Sequence, residues 1–126
     1  MSLRTPLGKV LGLGSAKDGT EHFWAQRVSA MGLVLLGIWF VVAVVINDNL
    51  AYANLVEFIA APLNSILLSI LSVVVAFHSY LGIQVIVEDY VHSSAIKIAA
   101  LLLSRFAHVL VAITAVYAIL KIGISA

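Results

Sequence analysis

The sequence predicts an all-α membrane protein with three transmembrane helices, its N-terminus in the cytoplasm and its C-terminus outside. Hydrophobic residues make up 63% of the 126 residues and charged residues only 10%, whereas a soluble domain carries about 25% charged residues. The mean hydropathy is +1.13, and the apolar residues fall into three long runs. A chain of this composition cannot cover a surface that faces water, so membrane lipid is its expected solvent.

Composition and charge exclude several classes of function. The net charge of +1 provides no basic surface for nucleic acid, so no nucleic-acid partner is expected. The chain contains no cysteine, which excludes disulfides, thiolate metal sites and iron–sulfur ligation by this chain. The length suits a single domain.

Residues 1–20 are predicted to form a cytoplasmic N-terminal segment, and residues 21–126 a three-helix membrane domain. Charged residues are spread through the start of the chain with no apolar core among them, so a cleavable signal peptide is not expected. Gly12, Gly14 and Gly19 do not make a phosphate-binding loop, because no strand precedes them and no Gly-Lys-Ser/Thr follows. The three helices are predicted at about 24–46, 62–90 and 95–121.

The three apolar runs define these helices. Val28–Ile46 holds roughly 19 uncharged residues, enough to cross ~30 Å of hydrocarbon at about 1.5 Å per residue. A short acidic link over residues 47–61 leads to Pro62, which suits the first turn of a helix. Leu63–Val87 carries no charge, and Ile98–Leu120 is apolar apart from isolated polar side chains.

Four serines of the second helix are predicted to form one stripe. At roughly 100° per residue they lie within about 80° of arc: Ser65, Ser69, Ser72 and Ser79. Small residues on one stripe allow close helix packing in lipid. We therefore expect this stripe to face a neighbouring helix rather than a cofactor.

The distribution of basic residues predicts the orientation of the chain. Most of them lie before the first helix or in the second link: Arg4, Lys9, Lys17, Arg27 and Lys97. The first link has no basic residue, and the far end of the chain has only Lys121. The positive-inside rule therefore places the N-terminus and the second link in the cytoplasm, and the C-terminus outside.

His78 is predicted to lie about nine residues from the end of the second helix, roughly 14 Å into the membrane. Polar side chains at that depth are costly and usually functional, and neutral imidazole is a good axial ligand for haem iron. Gly82 follows one turn later on the same face and leaves a bare spot for a flat macrocycle. The alternative is a histidine hydrogen-bonded to a neighbouring helix. The depth of His78 in the membrane and the bare backbone at Gly82 together favour haem ligation by His78.

Asp89 and Tyr90 are predicted to lie at the membrane edge where the second helix ends. Asp89 is only about 20° around the helix from His78, so His78, Gly82 and Asp89 form one stripe. A tyrosine hydroxyl beside a carboxylate can donate a hydrogen bond to a quinone carbonyl and supply protons to it. An interfacial tyrosine is also a common membrane anchor, so spacing alone leaves both roles open for Tyr90.

Arg105 and His108 are predicted to share one face of the third helix. Arg105 is roughly 12 Å beyond Lys97, where an unpaired arginine costs about 2.5–3.5 kcal/mol on insertion scales. A haem propionate or a carboxylate of another subunit would satisfy it, and snorkelling towards water is the alternative. His108 is either a packing residue or a competing haem ligand. His22 and His92 are expected to be solvated.

These residues resemble the small hydrophobic membrane anchor of bacterial succinate dehydrogenase. The resemblance rests on Arg27 before the first helix and on the spacing from His78 through Gly82 to the adjacent Asp89 and Tyr90. It covers the three-helix plan of the membrane domain. The Asp-Tyr pair, with its spacing from the histidine, is the specific part.

The resemblance implies membership of respiratory complex II in a bacterial inner (plasma) membrane. In that complex a flavoprotein subunit oxidises succinate, and an iron–sulfur subunit passes electrons to ubiquinone at a site completed by two membrane anchors. By this resemblance Tyr90 would hydrogen-bond a quinone carbonyl, and Asp89 would order the site. His78 would be one axial ligand of haem b, with the other supplied by the sister anchor, a cytochrome b556-type subunit. Arg27 and Gly82 would lie near the haem propionates or the mouth of the quinone site.

The sequence thus favours an anchor of succinate:ubiquinone oxidoreductase that is not catalytic by itself. One alternative is the anchor of a quinol:fumarate reductase or of another b-type cytochrome, because the same site can serve both directions. A second alternative is a cofactor-free transporter or structural membrane subunit, which predicts an intramembrane acid paired with Arg105. The apolar runs of this chain contain no such acid.

Overall fold

The computed structural model describes residues 19–47 and 51–125, and all regular structure in these ranges is helical. The elements in chain order are α1 (Gly19–Ile46), α2 (Tyr52–Ala60), α3 (Pro62–Tyr90) and α4 (Ser94–Ser125). The all-α prediction is therefore confirmed. Most of the predicted N-terminal segment, including the glycines at 12 and 14, lies outside the described residues.

Three of the four helices are long and apolar enough to cross a membrane: α1, α3 and α4. They contain 28, 29 and 32 residues, more than the roughly 20 that a bilayer requires, so they tilt in the membrane or project from it. The first helix begins at Gly19, where the sequence predicts a start at about 24, and the last helix continues to Ser125. The orientation of the two termini stays a prediction.

The short helix α2 lies in the segment that the sequence analysis treated as a link. Its apolar residues follow the spacing of one helical face: Tyr52, Leu55, Val56 and Ile59. Asn64 Nδ2 donates to the carbonyl of Phe58 over 2.9 Å, and Ser65 Oγ donates to the carbonyl of Ile59. These bonds satisfy carbonyls that the end of a helix leaves without partners, and they hold the corner between α2 and α3.

The long helices form an open row with α3 in the middle. Helix α3 packs against α1 on one side and against α4 on the other, while α2 contacts α3 and α4. No Cα atom of α1 comes within 8 Å of one in α4 over the described ranges. Both packing faces of α3 are therefore used by its own chain, and the outer faces of α1 and α4 are not.

Small residues bring α3 and α4 close together, as the serine stripe predicts. A Cβ atom added to Gly123 of α4 would lie 3.0 Å from Oγ of Ser65, and Ser65 is only 8% exposed. Further along the same contact, Ser79 Oγ lies 3.2 Å from Nε2 of His108. The stripe thus faces α4, on the opposite side of α3 from α1.

Very little of the described chain is buried. Only four of its residues are buried, and two of them are serines: Ser29, Ser65, Ala76 and Leu81. Large apolar side chains cover the outside, with Leu35, Leu103 and Phe106 each more than 70% exposed. A fold that hides so little apolar surface is stable only where lipid or partner helices cover it.

Candidate functional site

His78 is held by a hydrogen bond from the neighbouring helix α1. Its Nδ1 lies 2.9 Å from Oγ of Ser29, which is 7% exposed. The Ser29 hydroxyl also donates to the backbone carbonyl of Gln26 over 3.1 Å. Because that donation uses the single hydroxyl proton, Oγ accepts the second bond, and Nδ1 of His78 is the donor. Both hydrogen bonds form at once only when the proton is on Nδ1, and in this tautomer Nε2 keeps its lone pair.

A cavity of about 420 Å³ lies beside His78, between α1 and α3. Its walls are His22, Phe23, Gln26, Arg27, Ala30, His78 and Val85. Two of these residues carry a buried side-chain atom without a hydrogen-bond partner among the described residues: Nε2 of His22 and Oε1 of Gln26. The Arg27 guanidinium lies 5.2 Å from the centroid of the Phe23 ring. The lining of this cavity thus combines a cation, two polar side chains and the imidazole of His78.

His22 therefore departs from the prediction that it is solvated. It shares one face of α1 with Gln26 and Ser29, because the three positions are spaced i, i+4 and i+7. This spacing was visible in the sequence and marks a polar stripe on an apolar helix. Gln26 and Ser29 were not predicted as site residues, because each is an ordinary polar residue until it is considered together with its neighbours on this face.

Gly82 leaves open space one turn along α3 from His78. A Cβ atom added there would meet nothing within 4 Å. Gly82 does not line the cavity beside His78, so within this chain it marks bare backbone rather than a helix contact. Space of this kind accommodates a flat group or a partner chain.

Asp89 and Tyr90 lie at the end of α3 and do not line the cavity that His78 and Arg27 share. The Tyr90 side chain is 77% exposed, and Asp89 is exposed as well. The turn that follows is held by Lys97, whose Nζ donates to the carbonyl of Glu88 over 2.8 Å. The structure thus presents Asp89 and Tyr90 together on a fixed end of the helix, facing away from their own chain.

His108 differs from His78 in that both of its ring nitrogens are already hydrogen-bonded. Nδ1 lies 2.7 Å from the carbonyl of Ser104, and Nε2 lies 3.2 Å from Oγ of Ser79. A carbonyl only accepts, so Nδ1 donates to it and Nε2 accepts from the Ser79 hydroxyl. This arrangement satisfies a neutral imidazole completely and leaves no lone pair for a metal. The packing interpretation of His108 is the one that the structure favours.

Arg105 and His108 line a separate cavity of about 300 Å³ between α3 and α4. Arg105 is exposed, and no carboxylate of residues 19–47 or 51–125 pairs with it. His92, in the turn before α4, is exposed as predicted, with Nδ1 3.1 Å from the carbonyl of Tyr90.

The residues around His78 fit a haem group. An axial ligand must offer a neutral imidazole nitrogen, and a second hydrogen bond usually fixes the other nitrogen. His78 meets both conditions in the tautomer that donates from Nδ1 to Ser29, and polar side chains of α1 line the same cavity. Among the described residues no three His, Cys, Asp or Glu side chains form a group that could hold a bare metal ion.

Comparison with known proteins assigns the chain to a family. The model of the family described as succinate dehydrogenase/fumarate reductase transmembrane subunit matches residues 1–119. The succinate dehydrogenase hydrophobic membrane anchor subunit of Paracoccus denitrificans is 30% identical over 122 residues, which cover 97% of this chain and 94% of that protein. The subunit of the same name from Rickettsia bellii is 32% identical over 94 residues, 75% of each chain.

A third relative is similar over a comparable length. The succinate dehydrogenase membrane anchor subunit of Reclinomonas americana is 34% identical over 101 residues, which cover 77% of this chain and 83% of that protein. No solved structure matches the chain significantly. The family match covers most of the sequence and agrees with the three long apolar helices. The chain therefore belongs to the succinate dehydrogenase/fumarate reductase transmembrane subunit family, as a membrane anchor subunit of succinate dehydrogenase.

Proposed function

We propose that this anchor ligates haem b through His78 and completes the ubiquinone site of its complex with Tyr90 and Asp89. The observation that carries the proposal is the free lone pair of His78 Nε2, on a ring whose other nitrogen is fixed by Ser29. Family membership supports the setting, because these anchors serve complexes that exchange electrons with quinone. It also removes the cofactor-free transporter from consideration.

Several residues of this chain would hold the haem, each in a different way. His78 offers Nε2 as one axial ligand, and a histidine of the sister anchor offers the other. Arg27 supplies a positive charge for the propionates, and His22 and Gln26 line the same cavity as further polar side chains. Gly82 keeps the face of α3 bare. The group itself, when bound, supplies a one-electron redox centre near the quinone site.

The quinone site is built on the exposed end of α3. The Tyr90 hydroxyl donates a hydrogen bond to a quinone carbonyl, and the neighbouring Asp89 carboxylate orders this donor and relays protons. A donor already placed at the carbonyl oxygen stabilises the negative charge that develops there during reduction. Both side chains face away from their own chain, so the iron–sulfur subunit and the sister anchor complete the pocket.

We place the complex in a bacterial inner membrane, with the N-terminus and the α3–α4 turn in the cytoplasm. Arg4, Lys9 and Lys17 precede α1 and Arg27 lies in its first half, and Lys97 lies in the first turn of α4, whereas the α1–α3 connection has no basic residue. In this orientation Asp89 and Tyr90 face the side on which the flavoprotein and iron–sulfur subunits bind. The physiological direction proposed is succinate oxidation, which follows the names of the relatives.

The test of haem ligation is a reduced-minus-oxidised optical spectrum of the complex purified through this chain, beside His78→Ala and His108→Ala variants. We expect a b-type signal in the wild type that collapses in His78→Ala while the partner subunits remain present. The signal survives in His108→Ala, because that histidine has no free nitrogen.

The His108→Ala variant shows whether loss of the b-type signal is specific to His78. Loss of the signal in His108→Ala together with its survival in His78→Ala would transfer the ligand to α4. An absence of haem in the wild type would refute the cofactor part of the proposal and leave the quinone part standing.

A further inference from the structure

We propose that Ser29 is a positioning residue for His78, which fixes both the tautomer and the rotation of the imidazole from a different helix. The inference rests on the proposed ligation of haem by His78. It adds a residue that the haem does not touch, and a relay of two hydrogen bonds that ends on the backbone of α1: His78 Nδ1–H to Ser29 Oγ, and Ser29 Oγ–H to the carbonyl of Gln26.

The direction of these two hydrogen bonds follows from the carbonyl of Gln26, where the relay ends. A carbonyl oxygen can only accept, so the Ser29–Gln26 bond uses the hydroxyl proton of Ser29, and the two bonds coexist only when Nδ1 of His78 donates to Oγ. The opposite tautomer would place a proton on Nε2, the nitrogen that must bind iron, and would leave Nδ1 facing Oγ without a proton between them. The backbone of α1 thereby selects the ligating form of His78.

The Ser29 hydroxyl lies in a buried contact. Ser29 is only 7% exposed, so its bond to His78 is shielded from bulk solvent. The bond also joins two helices, because Ser29 belongs to α1 and His78 to α3. By contrast, Ser69 and Ser72 of α3 each donate to the carbonyl one turn earlier on their own helix.

The bond should also tune the proposed redox centre. An imidazole that donates its Nδ1 proton is a better electron donor to iron, and this favours the oxidised metal. Removal of the acceptor therefore raises the midpoint potential of the haem and weakens its retention. Loss of such an outer partner typically lowers metal affinity about 10-fold or more.

The experiment measures haem content per flavin and the haem midpoint potential in the whole purified complex. Four variants are compared with the wild type: Ser29→Ala, Ser29→Cys, Ser29→Thr and Ser72→Ala. We expect a raised potential and about a 10-fold weaker haem retention in Ser29→Ala. The same direction is expected in Ser29→Cys, which nearly keeps the size of the side chain and is a weak acceptor. Ser29→Thr retains the hydroxyl and restores the wild-type potential.

Ser72→Ala is the matched control, because it removes a part-buried hydroxyl from α3 without touching His78. A purely structural role for Ser29 predicts reduced yield of the complex with an unchanged potential in whatever assembles. If the complex with Ser29→Ala does not assemble, the comparison of Ser29→Cys with Ser29→Thr decides whether the hydroxyl at position 29 positions His78. If Ser29→Cys and Ser29→Thr have equal haem potentials and equal haem content, while the haem is still lost in His78→Ala, the positioning role of Ser29 is overturned and the ligation by His78 stands. A wild type without haem overturns the ligation proposal together with it.

Discussion

The two histidines at the middle of α3 and α4 differ in their hydrogen bonds. His78 and His108 lie at similar depth, since the first neighbours Ser79 along the chain and the second bonds to it. Of the two, only His78 keeps a ring nitrogen without a hydrogen-bond partner among the described residues. The sequence favours His78 over the competing His108, and the difference in hydrogen bonding comes from the structure alone, because partners on other helices are not visible in spacing.

Replacement of Tyr90 by phenylalanine tests the quinone role at the same scale. The change removes one hydroxyl from a side chain that is 77% exposed in this chain, so folding should be unaffected. We expect about a 100-fold fall in succinate-dependent quinone reduction, the lower end of what the loss of one transition-state hydrogen bond costs. Electron transfer to a soluble dye that bypasses the quinone site should survive.

The control is Tyr117→Phe on α4, which removes a hydroxyl of similar exposure (65% for the side chain) far from the end of α3. An equal loss of the quinone and dye activities in Tyr90→Phe would point to an assembly defect instead of a quinone role.

At the scale of the element, the contact between α3 and α4 depends on a close approach at one glycine. Gly123→Val places atoms against Ser65, whose hydroxyl would already be 3.0 Å from a Cβ atom and is tied to the end of α2. We expect overpacking to destabilise the helix pair by about 1–3 kcal/mol. The effect is read as a lower melting temperature of the detergent-extracted complex.

Gly37→Val is the matched substitution, because a Cβ atom at Gly37 of α1 meets nothing within 4 Å of this chain. Similar losses at both glycines would show that the partner subunits, rather than Ser65, set the available space.

At the scale of the whole molecule, the absence of cysteine makes the predicted orientation directly measurable. A single introduced cysteine is unique in this chain. Ser93 and Ser125 are both exposed and lie at opposite ends of α4. In right-side-out spheroplasts, a membrane-impermeant maleimide should label this chain in Ser125→Cys and leave it unlabelled in Ser93→Cys.

Inverted membrane vesicles should reverse the pattern. Labelling of Ser93→Cys from the outside would show that the N-terminus faces outward, which would contradict the positive-inside prediction.

The sequence predicts the long helices of this protein better than its short helix or its contacts between distant residues. The long helices follow from apolar runs, because lipid leaves the backbone no alternative to the helix. Helix α2 was missed, because nine residues are too short to span a bilayer and its apolar face shows only in the spacing from Tyr52 to Ile59. The family resemblance drew attention to His78 and Arg27, which line one cavity. Ser29 was not found, because its role depends on a contact with a residue 49 positions away.

Over the described ranges, helix α1 packs against one long helix, α3. The residues that line the cavity beside His78 all belong to α1 or α3. Helix α4 packs against α3 and contributes no residue to this lining. The α1–α3 pair therefore provides this chain's whole share of the cavity, and α4 supports it only through its packing against α3.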